Sequence, residues 1–97
     1  MAMNKTHYFY VLLCKDSTLY AGYTTDLPRR LKEHNQGIGA KYTRLAKRRP
    51  LQMIHAEGFT TRSEAMQKEA AFKQLNRAQK ERYLASHTSL ELPETAD

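Results

Sequence analysis

The order of elements legible in the 97-residue chain is ββαβαα, which predicts an α+β domain: a small three-stranded, mostly antiparallel sheet flanked by helices. Three observations carry that prediction. Two β-type runs, 8–13 and 19–23, flank the turn residues Lys15, Asp16 and Ser17 and read as a hairpin. A third run, 51–57, alternates in polarity as a strand does. Helix-start residues stand at Thr25 or Asp26, at Thr61 and at Asn76, each ahead of a helical pattern.

In the hairpin, pairing Leu13 with Leu19 sets Val11 opposite Ala21, Tyr10 opposite Gly22 and Phe9 opposite Tyr23. Alternation then sorts two faces. Phe9, Val11, Leu13, Leu19 and Ala21 make an ordinary core, whereas Tyr8, Tyr10, Leu12 and Tyr20 gather phenols beside Gly22, where the missing side chain leaves room for a ligand.

The first helix runs to about residue 36, with Pro28 tolerated in its opening turn and Gly37 ending it. Leu27 and Leu31 define its buried stripe. At about 100° per residue, His34 lies near the centre of that stripe and Arg30 at its edge, with Arg29, Lys32 and Glu33 outward. Residues 37–50 read as a loop. In the third strand Leu51, Met53 and His55 share one face, against Gln52, Ile54 and Ala56. Thr61 and Glu64 form a capping box that opens a helix to about residue 75, burying Ala65, Phe72 and Met66. Asn76 and Gln79 open a last helix with Tyr83 and Leu84 inward. Residues 1–86 are thus expected to form one domain. The stretch 87–97, with Glu91, Glu94 and Asp97 and no Lys or Arg, is expected to be a flexible acidic tail.

Composition narrows the function classes. A single cysteine, Cys14, excludes an intrachain disulfide and a cysteine-based zinc staple. The longest apolar run, 8–14, is far shorter than the roughly 20 residues a membrane span needs. No secretory leader pattern opens the chain, and a cytoplasmic protein is expected. The net charge of +6 is concentrated: residues 28–50 hold eight Lys and Arg against Glu33 alone. Such a block beside Tyr42 and Thr43 suits a phosphate backbone, though it also fits a solvated basic loop.

Glu69 breaks the helical pattern. It stands four residues after Ala65 and three before Phe72, on the apolar stripe. Either Lys73, four residues on, pairs with it, or it is a metal ligand at a pocket rim, as one carboxylate with waters and phosphate oxygens commonly holds Mg²⁺. Arg30 and His34, one turn apart, could contact a phosphate and relay a proton. Each also has an ordinary reading, as a rim arginine and a satisfied core histidine.

Tyr8-Phe9-Tyr10, then Leu19-Tyr20-Ala21-Gly22, then Leu27 and Arg30, resembles the GIY-YIG nuclease domain. Arg30 falls ten residues after Tyr20, His34 one turn later, and Glu69 in a later helix, as the family's metal-binding Glu does. The stretch from Gly39 to Arg44 is similar to that of the small stand-alone bacterial branch. Tyr8 and Phe9 stand where the name letters would be Gly and Ile, and Ala21 where the second Ile would be.

The resemblance implies a metal-dependent endonuclease, a phosphodiester hydrolase acting on DNA more than RNA. Glu69 would hold Mg²⁺ or Mn²⁺ and Arg30 would fork onto the phosphate. Tyr10 would activate water, its ionised form favoured by Arg30, His34 and Lys41, while Tyr20 positions water or phosphate. Arg29, Lys41, Tyr42, Arg44 and Lys73 would track the nucleic acid, with Tyr42 as a stacking platform. The competing class is a non-catalytic nucleic-acid-binding module acting with a DNA repair or recombination partner, and a third is a structural or dimerisation protein. With no helix suited to the major groove, selectivity is expected to come from strand or structure, or from a protein partner.

Overall fold

Residue alternation in the hairpin sets the architecture. In the computed structural model, which describes residues 5–93, β1 (His7–Leu13) is the central strand, flanked by β2 (Leu19–Thr24) and β3 (Gln52–Phe59) in the order β2-β1-β3, all antiparallel. The β1–β2 register is the expected one, with Leu13 opposite Leu19 and Tyr10 opposite Gly22. Asp16 closes the turn by accepting from Thr18 N and Oγ1.

A bulge reorganises β3. Val11 pairs with His55 but Leu12 pairs with Met53, so Ile54 is an extra residue. The expectation that His55 shares a face with Leu51 and Met53 is therefore corrected: the bulge inverts the alternation, leaving Leu51 and Met53 with Tyr10 and carrying His55 and Glu57 to the face of Val11 and Phe9.

Each face has its own helices. Over Tyr10 and Leu12 lies α1 (Leu27–Asn35), which inserts Leu27 and Leu31; Asp26 caps it, accepting from Arg29 N. Over Phe9 and Val11 lie α2 (Arg62–Lys73), capped by Thr61, and α3 (Arg77–Ser86), opened by the Asn76–Gln79 capping box. Phe72 is the anchor of that second face, with its ring centroid 5.4 Å from that of Phe9; truncating such a residue to Ala costs about 3–5 kcal/mol. Met66, expected inward, is 42% exposed: one residue on from buried Ala65, it points off the stripe and its sulfur meets Arg62 Nε.

Residues 37–50 are more ordered than a plain loop, with 3₁₀ turns at Tyr42–Arg44 and Ala46–Arg48. Arg48 staples this segment to the hairpin: Nε pairs with Asp16, Nη1 donates to the Tyr42 carbonyl, and its own carbonyl accepts from Lys15 N. Asn35 fixes the far end of α1 by bonding both backbone groups of Leu51. Part of the stretch expected to be a tail makes contacts with the sheet. Ser89 and Leu90 bond Ala56 N and O on the outer edge of β3, and Leu92 packs against the first core; Glu94 and Asp97 lie outside the described residues.

Candidate active site

Gly22 lies under the ring of its cross-strand partner. A Cβ there would collide with Oη and Cζ of Tyr10. The space expected for a ligand is thus filled by the Tyr10 phenol, which crosses β2 towards α1 and is fully buried. There its oxygen meets the side chains that the α1 periodicity places at the centre and at the edge of the buried stripe: His34 Nε2 at 2.8 Å and Arg30 Nε at 3.3 Å.

His34 is itself fully buried, and its other nitrogen lies 2.7 Å from Thr43 Oγ1 in the first 3₁₀ turn. Burial, followed by the Arg30 charge, pushes its pKa down to about 4, so it is neutral around pH 7. The Tyr10 phenol is pushed well above the ordinary range, because burial outweighs the hydrogen bond and charge of Arg30. This corrects the expectation of an ionisable Tyr10: Arg30 acts in the expected direction, but desolvation wins and the neutral His34 contributes no charge.

Arg30 stands at the open end of this pair, a quarter exposed, with Nη1 on Glu33 Oε1 at 3.1 Å. Such a helix pair is worth about 0.2–0.5 kcal/mol, so a phosphate group can displace it. Tyr20 packs edge-on against His34, with ring centroids 5.3 Å apart, and Lys73 Nζ lies 5.7 Å above the Tyr20 ring. Lys73 also donates to Glu69 Oε2 at 2.7 Å. Of the two readings of Glu69, the ion pair is therefore present, and it also constrains the expected role of Lys73 on nucleic acid. Glu69 remains close enough to Tyr10 for its charge to act on the phenol, and its side chain is 17% exposed.

The basic block divides. Arg29, Lys41 and Arg44 are exposed, as a backbone-binding role requires, and the last two flank the turn that carries Thr43. Arg48 is spent on Asp16 and the Tyr42 carbonyl, and Arg49 donates Nη2 to the Arg44 carbonyl. The expectation for Tyr42 is corrected, since its ring is already engaged: the Arg48 guanidinium sits 3.6 Å over it and the Tyr20 ring stacks beside it. Thr43 is the participant that periodicity missed. Nothing local marks a threonine between two cations as the partner of a histidine nine residues earlier.

Among the described residues no three His, Cys, Asp or Glu side chains gather as a metal cage. Glu69 nevertheless fits a hard divalent cation in the one-carboxylate manner, because the Lys73 bond uses Oε2 and leaves Oε1 as an oxygen donor. No helix among the described residues is long and apolar enough to cross a membrane.

The GIY-YIG catalytic domain family model matches residues 6–83. A UPF0213 protein of Enterococcus faecalis is 68% identical over 84 residues, covering 87% of this chain and 96% of that one. A UPF0213 protein of Bacillus velezensis is 62% identical over 79 residues, covering 81% and 78%. The solution NMR structure of an E. faecalis protein is similar with a TM-score of 0.59 at 61% identity, covering 94% of this chain and 99% of that one.

Proposed function

Because the chain belongs to the GIY-YIG catalytic domain family, a family of nucleases, we propose that it is a metal-dependent endonuclease hydrolysing phosphodiester bonds of DNA, with single-stranded or branched substrates preferred. The observation that carries this reading is the Tyr10 phenol held between Arg30 Nε and neutral His34 Nε2. With one lone pair taken by Arg30 and its proton given to His34, the phenol oxygen has one lone pair left to accept a proton from water.

The chemistry follows from that arrangement. Arg30 exchanges Glu33 for a non-bridging phosphate oxygen, and Tyr20 orients the phosphate or water beside it. As water attacks phosphorus, its O–H bond breaks and the proton passes to Tyr10 Oη, while the electron pair forms the new P–O bond. The original Tyr10 proton moves to His34 Nε2, so the phenolate that burial disfavours need not accumulate. The P–O bond to the leaving group breaks, and that oxygen takes a proton from solvent. The imidazolium, disfavoured by burial and by Arg30, gives its proton back to Tyr10 Oη as the phenol passes its own to solvent, restoring the neutral pair. A divalent cation on Glu69, with Mg²⁺ or Mn²⁺ the fitting ions, would neutralise charge developing on the phosphate. Arg29, Lys41 and Arg44 grip the backbone, each ion contact weakening with salt.

The non-catalytic alternative, a binding module acting with a repair or recombination partner, is favoured by the burial of Tyr10 and the Glu69–Lys73 pair. One experiment separates the two. Single-stranded and branched DNA are incubated with Mg²⁺ or Mn²⁺ and wild type, Arg30→Ala or Glu69→Ala protein. The nuclease reading expects metal-dependent cleavage that falls about 10²–10³-fold in Arg30→Ala. Binding without cleavage, indifferent to metal, selects the module; full metal-dependent cleavage by Glu69→Ala removes the role given to Glu69.

A further inference from the structure

A neutral histidine accepts a proton at one nitrogen only, and the geometry around His34 decides which. His34 Nδ1 lies 2.7 Å from Thr43 Oγ1, and that hydroxyl lies 3.2 Å from the Ala40 carbonyl oxygen. A carbonyl can only accept, so the bond between these two groups uses the single Thr43 proton, and with that bond made Oγ1 faces Nδ1 as an acceptor. Nδ1 must then carry the imidazole hydrogen. At the other end, Arg30 Nε–H can only donate, so it occupies a lone pair of the Tyr10 oxygen, and with the imidazole hydrogen on Nδ1 the Tyr10 proton goes to Nε2. Every bond runs the same way, from Arg30 through Tyr10, His34 and Thr43 to the Ala40 carbonyl.

We propose that Thr43 is a positioning residue of the nuclease site: its hydroxyl, committed to Ala40, fixes His34 as the Nδ1–H tautomer and so presents Nε2 to Tyr10 as a proton acceptor. The packing around the imidazole supports a built arrangement. Thr43 is fully buried, and a Cβ on Gly39 would come within 2.5 Å of Nδ1, so the turn closes directly on the ring. The ionisable groups facing His34 are Tyr10 from β1, Tyr20 from β2, and Arg30 and Glu33 from its own helix. None of these takes Nδ1, which leaves Thr43 to set the tautomer. The catalytic consequence rests on the nuclease reading, whereas the tautomer does not.

Long-range ¹H–¹⁵N NMR of the ¹⁵N-labelled full chain reads the tautomer without any activity. Wild type is expected to show His34 with a protonated, pyrrole-type Nδ1 and a pyridine-type Nε2; a protonated Nε2 in wild type overturns the proposal. Thr43→Val keeps the shape and removes the acceptor. It should move the hydrogen to Nε2 and lower kcat for cleavage about 100-fold with KM unchanged, while Thr43→Ser restores both. A Thr43→Val protein that keeps Nδ1–H and full kcat overturns the proposal, as does a loss expressed in KM alone, which would signal damage to the Lys41 and Arg44 grip. Wild type with the expected tautomer but no cleavage would remove the nuclease reading and leave the tautomer assignment standing.

Discussion

The two faces of the sheet each bury a histidine beside a hydrogen-bonded tyrosine, and the two clusters differ in what ends them. Under α2 and α3, Tyr83 Oη and His55 Nε2 both donate to the Glu57 carboxylate, which is thereby held below its usual range despite its partial burial. The Tyr83 phenol is correspondingly raised, by burial and then by the bond to Glu57. All protons in that cluster point at one anion, and His87 stacks on Tyr83 with centroids 3.7 Å apart. Under α1 no carboxylate among the described residues hydrogen-bonds the phenol. Arg30 and His34 bracket Tyr10 instead, and the chain of donors runs through the ring rather than converging on it. A convergent cluster binds its protons, whereas a directional one can pass them along.

Conservative removal of the two hydroxyls breaks that comparison most sharply. Tyr10→Phe should lower cleavage by about 10²–10⁴-fold while leaving most of the stability in place. Tyr83→Phe should leave cleavage intact and destabilise by about 1–3 kcal/mol, as a carboxylate loses a buried donor. Parallel cleavage assays and urea titrations check both. Equal activity loss in the two variants would erase the distinction between the faces.

The pH dependence of stability separates the clusters next. His34 has a folded pKa of about 4 against 6.5 in a free chain, so the unfolded state binds more protons between those values. Stability should therefore fall as pH drops below 6.5, by about 3 kcal/mol in all by the time pH reaches about 4. Glu57 has a depressed folded pKa, so its contribution is present above about 4.5 and is lost as pH falls further. The upper window should vanish in His34→Phe and the lower in Glu57→Gln, measured by denaturant unfolding across pH 3.5–7.5, about the range these shifts define.

Gly22→Ala tests the packing that aims Tyr10. The new methyl meets a ring that is buried on every side, so strain of about 1–3 kcal/mol is expected, together with loss of the Tyr10–His34 bond. Thermal unfolding and the His34 ¹⁵N shifts report the two effects separately; an unshifted Tm would mean that Tyr10 yields without cost.

How much of this was legible beforehand follows the range of each interaction. The Leu13–Leu19 register, the Asp26, Thr61 and Asn76 caps and the inward aim of His34 depend on residues a turn or two apart, and local periodicity exposes them. The bulge at Ile54 is a one-residue shift that alternation alone conceals, yet it decides which face receives His55 and Glu57. Thr43 meets His34 in a segment that Arg48 holds at the Tyr42 carbonyl and that Asn35 anchors at Leu51, a set of interactions with no periodic signature. The fate of the space beside Gly22 was equally hidden, since an absent side chain marks an approach without saying what approaches.

Lys73 offers the finest test of the contrast, because it pairs with Glu69 within α2, on the convergent face, and lies over the ring of Tyr20 near the directional one. A pair four residues apart on a helix, with its lysine half-exposed, contributes about 0.3–0.5 kcal/mol, so Lys73→Ala should barely move the unfolding midpoint. Its effect on function has a sign that discriminates. If the ion pair competes with a cation for Glu69, removing Lys73 lowers the Mg²⁺ concentration needed for half-maximal cleavage, while the weaker hold on the DNA phosphates raises KM. If Lys73 instead serves the site by holding Glu69 in place, the Mg²⁺ requirement rises. Titrating Mg²⁺ at saturating DNA for both proteins decides between competition and support.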